Sequence, residues 1–429
     1  MAHGLLKLGT DLNQIGKKIA RGVSRHILHW PLLYSLGQET VRRGLLKFPY
    51  ESKRMLVDYG MGQIKEAYRR NAVLVWSSAF SPTELYYALG ITHFSPEVAS
   101  AMVASFGFQE MFLKEAESRW WGRDNCAFHR CAMGGVFLDY FPRPRAFCAS
   151  THLCDGAVLL FNNLAARYRR PFFLLDTPLK QDHGALNYVV QQLKSIIASL
   201  EELSGKKMQA EKLEEAVACA EAARRELEEV NRLRRHPLSP FNTRDAIAYL
   251  YLYFNGVGSP VTPHIYNTLA WELKEKINGA EAAALKPPRF RLLWLHMPPI
   301  YRNNMLAYLE GKGARAVFEE FSHVYWEPMD PGRPLHSIAR RMLSHFGHGP
   351  VERRLHAIKT MVERYKVDGV IHFSHWGCRQ NCGSVKAIRD FLRREGIPLL
   401  LLDGDCIDNR NYAPGQVQTR IDGFLEMLA

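Results

Sequence analysis

Four apolar runs in the second half of the chain, RFRLLWLH, ARAVFEE, DGVIHFS and IPLLLLD, are each of strand length and separated by helical lengths. Such runs read as buried strands, and strands alternating with helices belong to βαβ units with parallel sheets. The first half repeats the pattern with NAVLVWSSAF, PRAFCAS and PFFLLD, the last two flanking the helix-like CDGAVLLFNNLAARY. The fold class predicted is α/β: two α/β domains with parallel sheets, a helical N-terminal segment and a helical connection. The pattern puts the N-terminal segment at 1–68, the first α/β domain at 69–195, the connection at 196–265 and the second domain at 266–429. Within this map SPTELYYALG reads as a helix opened by Ser81 at the N-cap and Pro82 in the first turn. Residues 96–120 read as one long helix, and EKLEEAVACAEAARRELEEVNRLRR as another, stopped by HPLSPF.

Composition narrows the function classes. No apolar run approaches the roughly 20 residues that span a bilayer, so no membrane is expected. The N-terminus lacks a compact apolar stretch ending in a small-residue cleavage site, so a cytoplasmic protein is expected. There, eight cysteines read as reduced thiols or metal ligands rather than disulfides. The formal charge of +13 is spread over scattered Lys and Arg, often beside Glu, with no long basic run. That excludes nucleic acid as the expected partner and suits an anionic ligand or an acidic protein.

Six of the eight cysteines form three close pairs: Cys126 with Cys131, Cys148 with Cys154, and Cys378 with Cys382, separated by four, five and three residues. None has the two-residue gap of a zinc knuckle. Six soft thiolates delivered two at a time point to a large iron–sulfur centre. Cys148 and Cys154 bracket the end of one predicted strand, and Cys378 and Cys382 follow another. Ligands in open α/β sheets collect at the carboxyl ends of strands, so the expected site is the cleft between the domains. The helix after each site would aim backbone N–H groups at a negatively charged cluster. Cys219, in an alanine-rich helix, and Cys406 both read as core, although Cys406, after a predicted strand, is also able to replace one of the six.

The stretch HFSHWGCRQNCGSVKAIRDFLRREGIPLLLLDGDCIDNRNYAPGQVQTRIDGFLEML resembles the D-component family of 2-hydroxyacyl-CoA dehydratases, to which benzoyl-CoA reductase subunits also belong. LVWSSAFSPTELYYALG, STHLCDGAVLLFNNL and LEELSGKKMQAEKLEEAV extend the resemblance over most of residues 70–429. It implies a single [4Fe–4S] cluster on Cys126, Cys154 and Cys378. The added Cys131, Cys148 and Cys382 are similar to the family's double-cubane cluster proteins, whose [8Fe–9S] centre implies six thiolates. On that resemblance the expected function is a reductase that takes low-potential electrons from an ATP-hydrolysing iron–sulfur activator and reduces a small substrate, as a homodimer. The alternative is the [4Fe–4S] subunit of a 2-hydroxyacyl-CoA dehydratase, a CoA-ester lyase. A third reading is an electron carrier without catalysis. The chain has neither G-x-x-x-x-G-K-[ST] nor a strand-linked G-x-G-x-x-G, so ATP hydrolysis within it is not indicated.

Candidate catalytic groups are His129 and His375, beside the cysteines, and Glu84, which matches a carboxylate-bearing motif of the dehydratases. Each histidine is equally suited to donate a hydrogen bond to cluster sulfur, and Glu84 to complete a capping box with Ser81. Arg123, Arg130 and Arg379 are candidates to offset cluster charge, and Trp376 to exclude water.

Overall fold

The computed structural model describes residues 31–279, 282 and 285–429; residues 1–30 of the expected N-terminal helical segment lie outside them. Among the described residues eight strands form two four-stranded sheets, and every pairing is parallel. In the first, β1 (Leu74–Ser77), β2 (Thr92–Phe94), β3 (Ala146–Ser150) and β4 (Phe172–Leu175) lie in the order β2-β1-β3-β4. In the second, β5 (Phe290–Leu295), β6 (Ala314–Glu319), β7 (Gly369–His375) and β8 (Leu399–Gly404) lie in the order β6-β5-β7-β8. The two halves thus share one topology. Each has a switch point, between β1 and β3 and between β5 and β7, where successive crossovers leave in opposite directions.

The apolar runs become strands because both faces of each sheet are covered. Leu74 and Trp76 of β1 enter one apolar cluster with Phe147 and Phe161, while Val75 between them enters another with Leu85 and Val189. Leu292 and Trp294 of β5 are likewise separated from Leu293 and Leu295. Burying a side chain of this size contributes about 1.5–3 kcal/mol. The strand that sequence reasoning missed is β2, only three residues long, with Thr92 and His93 in it.

Two helical expectations are corrected. The segment 96–120 is two helices, Pro96–Phe106 and Gln109–Ser118, because Gly107 takes a left-handed φ of 84° and ends the first. The SPTELYYALG helix starts at Glu84, and Ser81 does not cap it: its hydroxyl meets that of Ser78 at 2.9 Å. The hydroxyl of Thr83, at the start, donates to the Val257 carbonyl instead, at 2.6 Å. Between β4 and β5 in sequence run the long helices His183–Ser204 and Ala210–Leu233, the first of them starting before residue 196. Among the described residues no helix is long and apolar enough to cross a membrane.

Candidate functional site

The two switch points face one cavity of about 770 Å³. Ala79 and Phe80 after β1, and Leu153 and Cys154 after β3, line it from the first sheet. Residues 296–302 after β5, with His375 and Cys378 at the end of β7, line it from the second. Met61, Ile64, Ala101, Met102 and Tyr251 give it a largely apolar wall. Its size is that of a site that encloses a small-molecule ligand.

Cys126, Cys154 and Cys378 all line this cavity. Each immediately precedes a helix: Ala127–Phe137, Asp155–Tyr168 and Arg379–Arg394 respectively. The thiols close no side-chain cap hydrogen bond, yet the amides of Phe128 and His129, of Ala157 and of Asn381 face their sulfurs and favour the thiolate. Burial outweighs this, and the neighbouring thiolates add to it. The Cys126 thiol is pushed well up by burial and by Cys154 and Cys378; Cys154 is pushed up to about 12 by burial, Glu97 and Cys378. Cys378 is raised by burial and by Cys382, and soft thiols of this kind become metal ligands once deprotonated. Gly377 makes the convergence possible, since at φ 75° its backbone lies against the nitrogen of Cys126.

The other member of each pair, Cys131, Cys148 and Cys382, does not line the cavity. Cys131 is fully buried in the apolar cluster of Trp76 and Phe112, its thiol pushed up to about 12 by burial. Cys148 lies in β3 against Tyr86, pushed up to about 11 by burial. Cys382 is one helical turn beyond Cys378, its sulfur 3.2 Å from the His375 carbonyl. The six paired cysteines therefore do not converge; the three that the resemblance assigned to a single cluster do. Cys406 is fully buried, donating to the Met297 carbonyl at 3.3 Å, and Cys219 lies half-buried on the helix Ala210–Leu233, away from the cavity.

Both candidate histidines face these sulfurs. His375 Nε2 lies 3.5 Å from Cys126 Sγ, and His129 Nε2 lies 3.9 Å from Cys154 Sγ. Burial lowers His375 to about 3 and His129 to about 4, so both are neutral at physiological pH. Glu84 does not line the cavity: it opens its helix, is fully buried and accepts from Arg341 at 2.7 Å. A carboxylate that does line the cavity is Glu97, which burial raises to about 7. Its signal was a second helix start of the Ser-Pro-Glu kind, Ser95-Pro96-Glu97, in which Ser95 is the true N-cap. Glu320 also lines the cavity, but two hydrogen bonds from Arg354 hold it as a charged pair.

The candidate arginines are already matched. Arg130 pairs with Glu117, Asp405 and Asp408, Arg123 with Glu117, and Arg379 with Asp155. Trp376 is 45 % exposed and shields little.

Among the described residues no three His, Cys, Asp or Glu side chains are close enough to hold a single metal ion. A cubane asks for something else: its thiolates sit on different irons and stand further apart, in a soft, buried donor set. Cys126, Cys154 and Cys378, three part-buried soft donors lining one cavity, fit that donor chemistry.

Comparison with known proteins supplies the family. The profile of the family described as 2-hydroxyglutaryl-CoA dehydratase, D-component, matches residues 78–428. The chain is 22% identical over 377 residues to the (R)-phenyllactyl-CoA dehydratase alpha subunit of Clostridium sporogenes, covering 85% of this chain and 91% of that one. It is 21% identical over 397 residues to the lactoyl-CoA dehydratase subunit alpha of Anaerotignum propionicum, with 85% and 92% covered. It is 23% identical over 374 residues to the (R)-2-hydroxyisocaproyl-CoA dehydratase alpha subunit of Clostridioides difficile, with 82% and 89% covered. With two parallel sheets opening on one cysteine-lined cavity, and a match across most of its length, the chain belongs to the 2-hydroxyglutaryl-CoA dehydratase D-component family.

Proposed function

We propose that this chain is the [4Fe–4S]-bearing subunit of a 2-hydroxyacyl-CoA dehydratase, which eliminates water from a 2-hydroxyacyl thioester. One observation carries the reading: Cys126, Cys154 and Cys378 line one cavity, and Cys131, Cys148 and Cys382 do not. Those three would hold the cluster. A [4Fe–4S] cluster held by three protein thiolates supplies one-electron chemistry and one iron open to a ligand.

The chain's own residues account for the rest. Elimination removes the hydroxyl from C2 and a proton from C3, so a group must take that proton inside an apolar cavity. Glu97 is the carboxylate for it: burial holds its affinity for protons near neutrality, where a base both accepts and releases them. The apolar wall of Met61, Ile64, Ala101 and Met102 would exclude water from a reactive intermediate. A second, different subunit is one proposed partner, in line with the alpha-subunit names of the relatives; an ATP-hydrolysing iron–sulfur activator, which the family resemblance implies, is the other.

The reductase reading, with an [8Fe–9S] centre in a homodimer, has less support because Cys131 and Cys148 point into apolar cores. One experiment separates the two. Anaerobically purified chain should carry about four irons, against about eight for the double cluster. With a partner subunit, activator and ATP, it should convert a 2-hydroxyacyl-CoA to the 2-enoyl-CoA. Eight irons with no dehydration would overturn the proposal.

A further inference from the structure

His375 ends β7, and its ring is fixed from every side. The backbone N–H of Cys406 donates to Nδ1 at 3.1 Å. Phe128 meets the ring edge-on at 5.6 Å between centroids, and His296 stacks on it at 5.8 Å. The residue is 1% exposed. An amide hydrogen occupies the Nδ1 lone pair, so in the neutral ring the proton must sit on Nε2. That nitrogen lies 3.5 Å from Cys126 Sγ. His129 offers a contrast, since its Nε2 stands at 3.9 Å from Cys154 Sγ and no amide donates to its Nδ1 among the hydrogen bonds of the described residues.

We infer that His375 is a locked hydrogen-bond donor to the Cys126 thiolate, a positioning residue that raises the reduction potential of the bound cluster. The inference rests on the cluster reading above. The physical reason is charge: an N–H aimed at a ligand sulfur stabilises the added electron of the reduced cluster. A ring whose one free lone pair already accepts from the backbone is not free to shuttle protons, which removes His375 from the list of proton donors. The lock comes from β8: Trp376 N donates to the Gly404 carbonyl at 2.8 Å, which keeps Cys406 in register with the ring.

Redox titration of the anaerobic holoprotein, followed by its visible absorption and by its electron paramagnetic resonance signal, tests this. His375→Phe, with iron content equal to the wild type, should shift the midpoint to a more negative potential. His375→Gln, which keeps an N–H near the Nε2 position, should recover most of the shift. A loaded His375→Phe protein with an unmoved midpoint would overturn the role of His375 and leave the cluster reading standing. A wild-type chain that binds no iron overturns both. Should either variant fail to fold, nitrogen chemical shifts of ¹⁵N-histidine-labelled wild type decide the matter. His375 must be the Nε2–H tautomer, and an Nδ1–H tautomer or an imidazolium overturns the inference.

Discussion

Gly377 touches the backbone of Cys126 so closely that a Cβ built on it would stand 2.6 Å from the Cys126 nitrogen. Two ligand loops, 251 residues apart in sequence when measured from Gly377 to Cys126, are held in register by that contact. The left-handed φ of 75° adds a cost of about 1–2 kcal/mol for any other residue. Gly377→Ala should therefore lose at least roughly half of its iron, an estimate scaled to that strain plus the clash. Gly383, on the helix Arg379–Arg394 with open space around it, is the control: Gly383→Ala should keep its iron in full. Equal iron in both variants would mean that the loops do not need this contact.

The cysteines should divide in two under substitution. Ser in place of Cys126, Cys154 or Cys378 should abolish the visible absorption of the cluster, because an alkoxide is a harder and far more basic ligand than a thiolate. Cys131→Ala and Cys148→Ala should retain iron and lose only about 1–2 kcal/mol of stability, the usual result of removing a buried side-chain atom. Iron analysis of the five variants side by side is the check. Loss of iron in Cys131→Ala or Cys148→Ala would restore those residues as ligands.

The sequence revealed the sheets more readily than the site. Seven of the eight strands were legible because parallel strands buried on both faces become unbroken apolar runs; Thr92–Phe94 is too short and too polar to show one. Direction was not legible. Cys131 lies five positions beyond Cys126, and at 3.6 residues per turn that places it about 140° around the helix, facing the core. Cys148 lies within β3, whereas Cys154 lies beyond its end, so only the latter reaches the cavity. Spacing brought each pair together on paper, and the helix and strand geometry separates them. Glu97 was hidden for a different reason: a carboxylate after Ser-Pro reads as a helix start unless burial is known.

Arg130 joins the two halves of the site. It lies on the helix Ala127–Phe137 and meets Glu117 at 2.7 Å, with Asp405 and Asp408 each at 3.4 Å. Its side chain and both aspartates are almost wholly buried. Arg130→Met should destabilise the protein by about 3–5 kcal/mol, because Asp405 is left buried without its cation. Burial already raises Asp405 to about 6. The loss should shrink below that pH, where Asp405 escapes the penalty by taking up a proton. Denaturant titrations of both proteins at pH 5 and pH 8 would show it; a pH-independent difference would argue for lost packing alone.

Acid should unfold this protein early, and His93 offers a clean measure. It is buried in β2, stacked on Tyr86 with ring centroids 5.2 Å apart, and burial lowers it to about 4. Unfolded, the same imidazole titrates near 6.5. Its contribution is thus complete above pH 6.5 and is lost as the pH falls toward 4, because the unfolded chain then binds a proton that the folded one refuses. A shift of that size corresponds to roughly 3 kcal/mol. His93→Phe should flatten the stability profile between those limits relative to wild type, and a parallel profile would place the acid sensitivity elsewhere.

Glu97 should separate chemistry from cluster binding. It lines the cavity beside Cys154, with the Ser95 hydroxyl donating to Oε2 at 3.1 Å, so a glutamine fits the same space. Glu97→Gln should keep the iron content of the wild type, since no ligand has changed. Its dehydration rate should fall by about 10²–10⁴, the usual worth of a positioned proton-transfer group. The pH dependence carries the sign: as a base, Glu97 must be ionised to accept the C3 proton, so wild-type kcat/KM should rise with pH through about 7. The residual activity of Glu97→Gln should lack that limb. If the variant turns over within about twofold of wild type, or keeps the same inflection, another group takes the proton and Glu97 is only part of the wall.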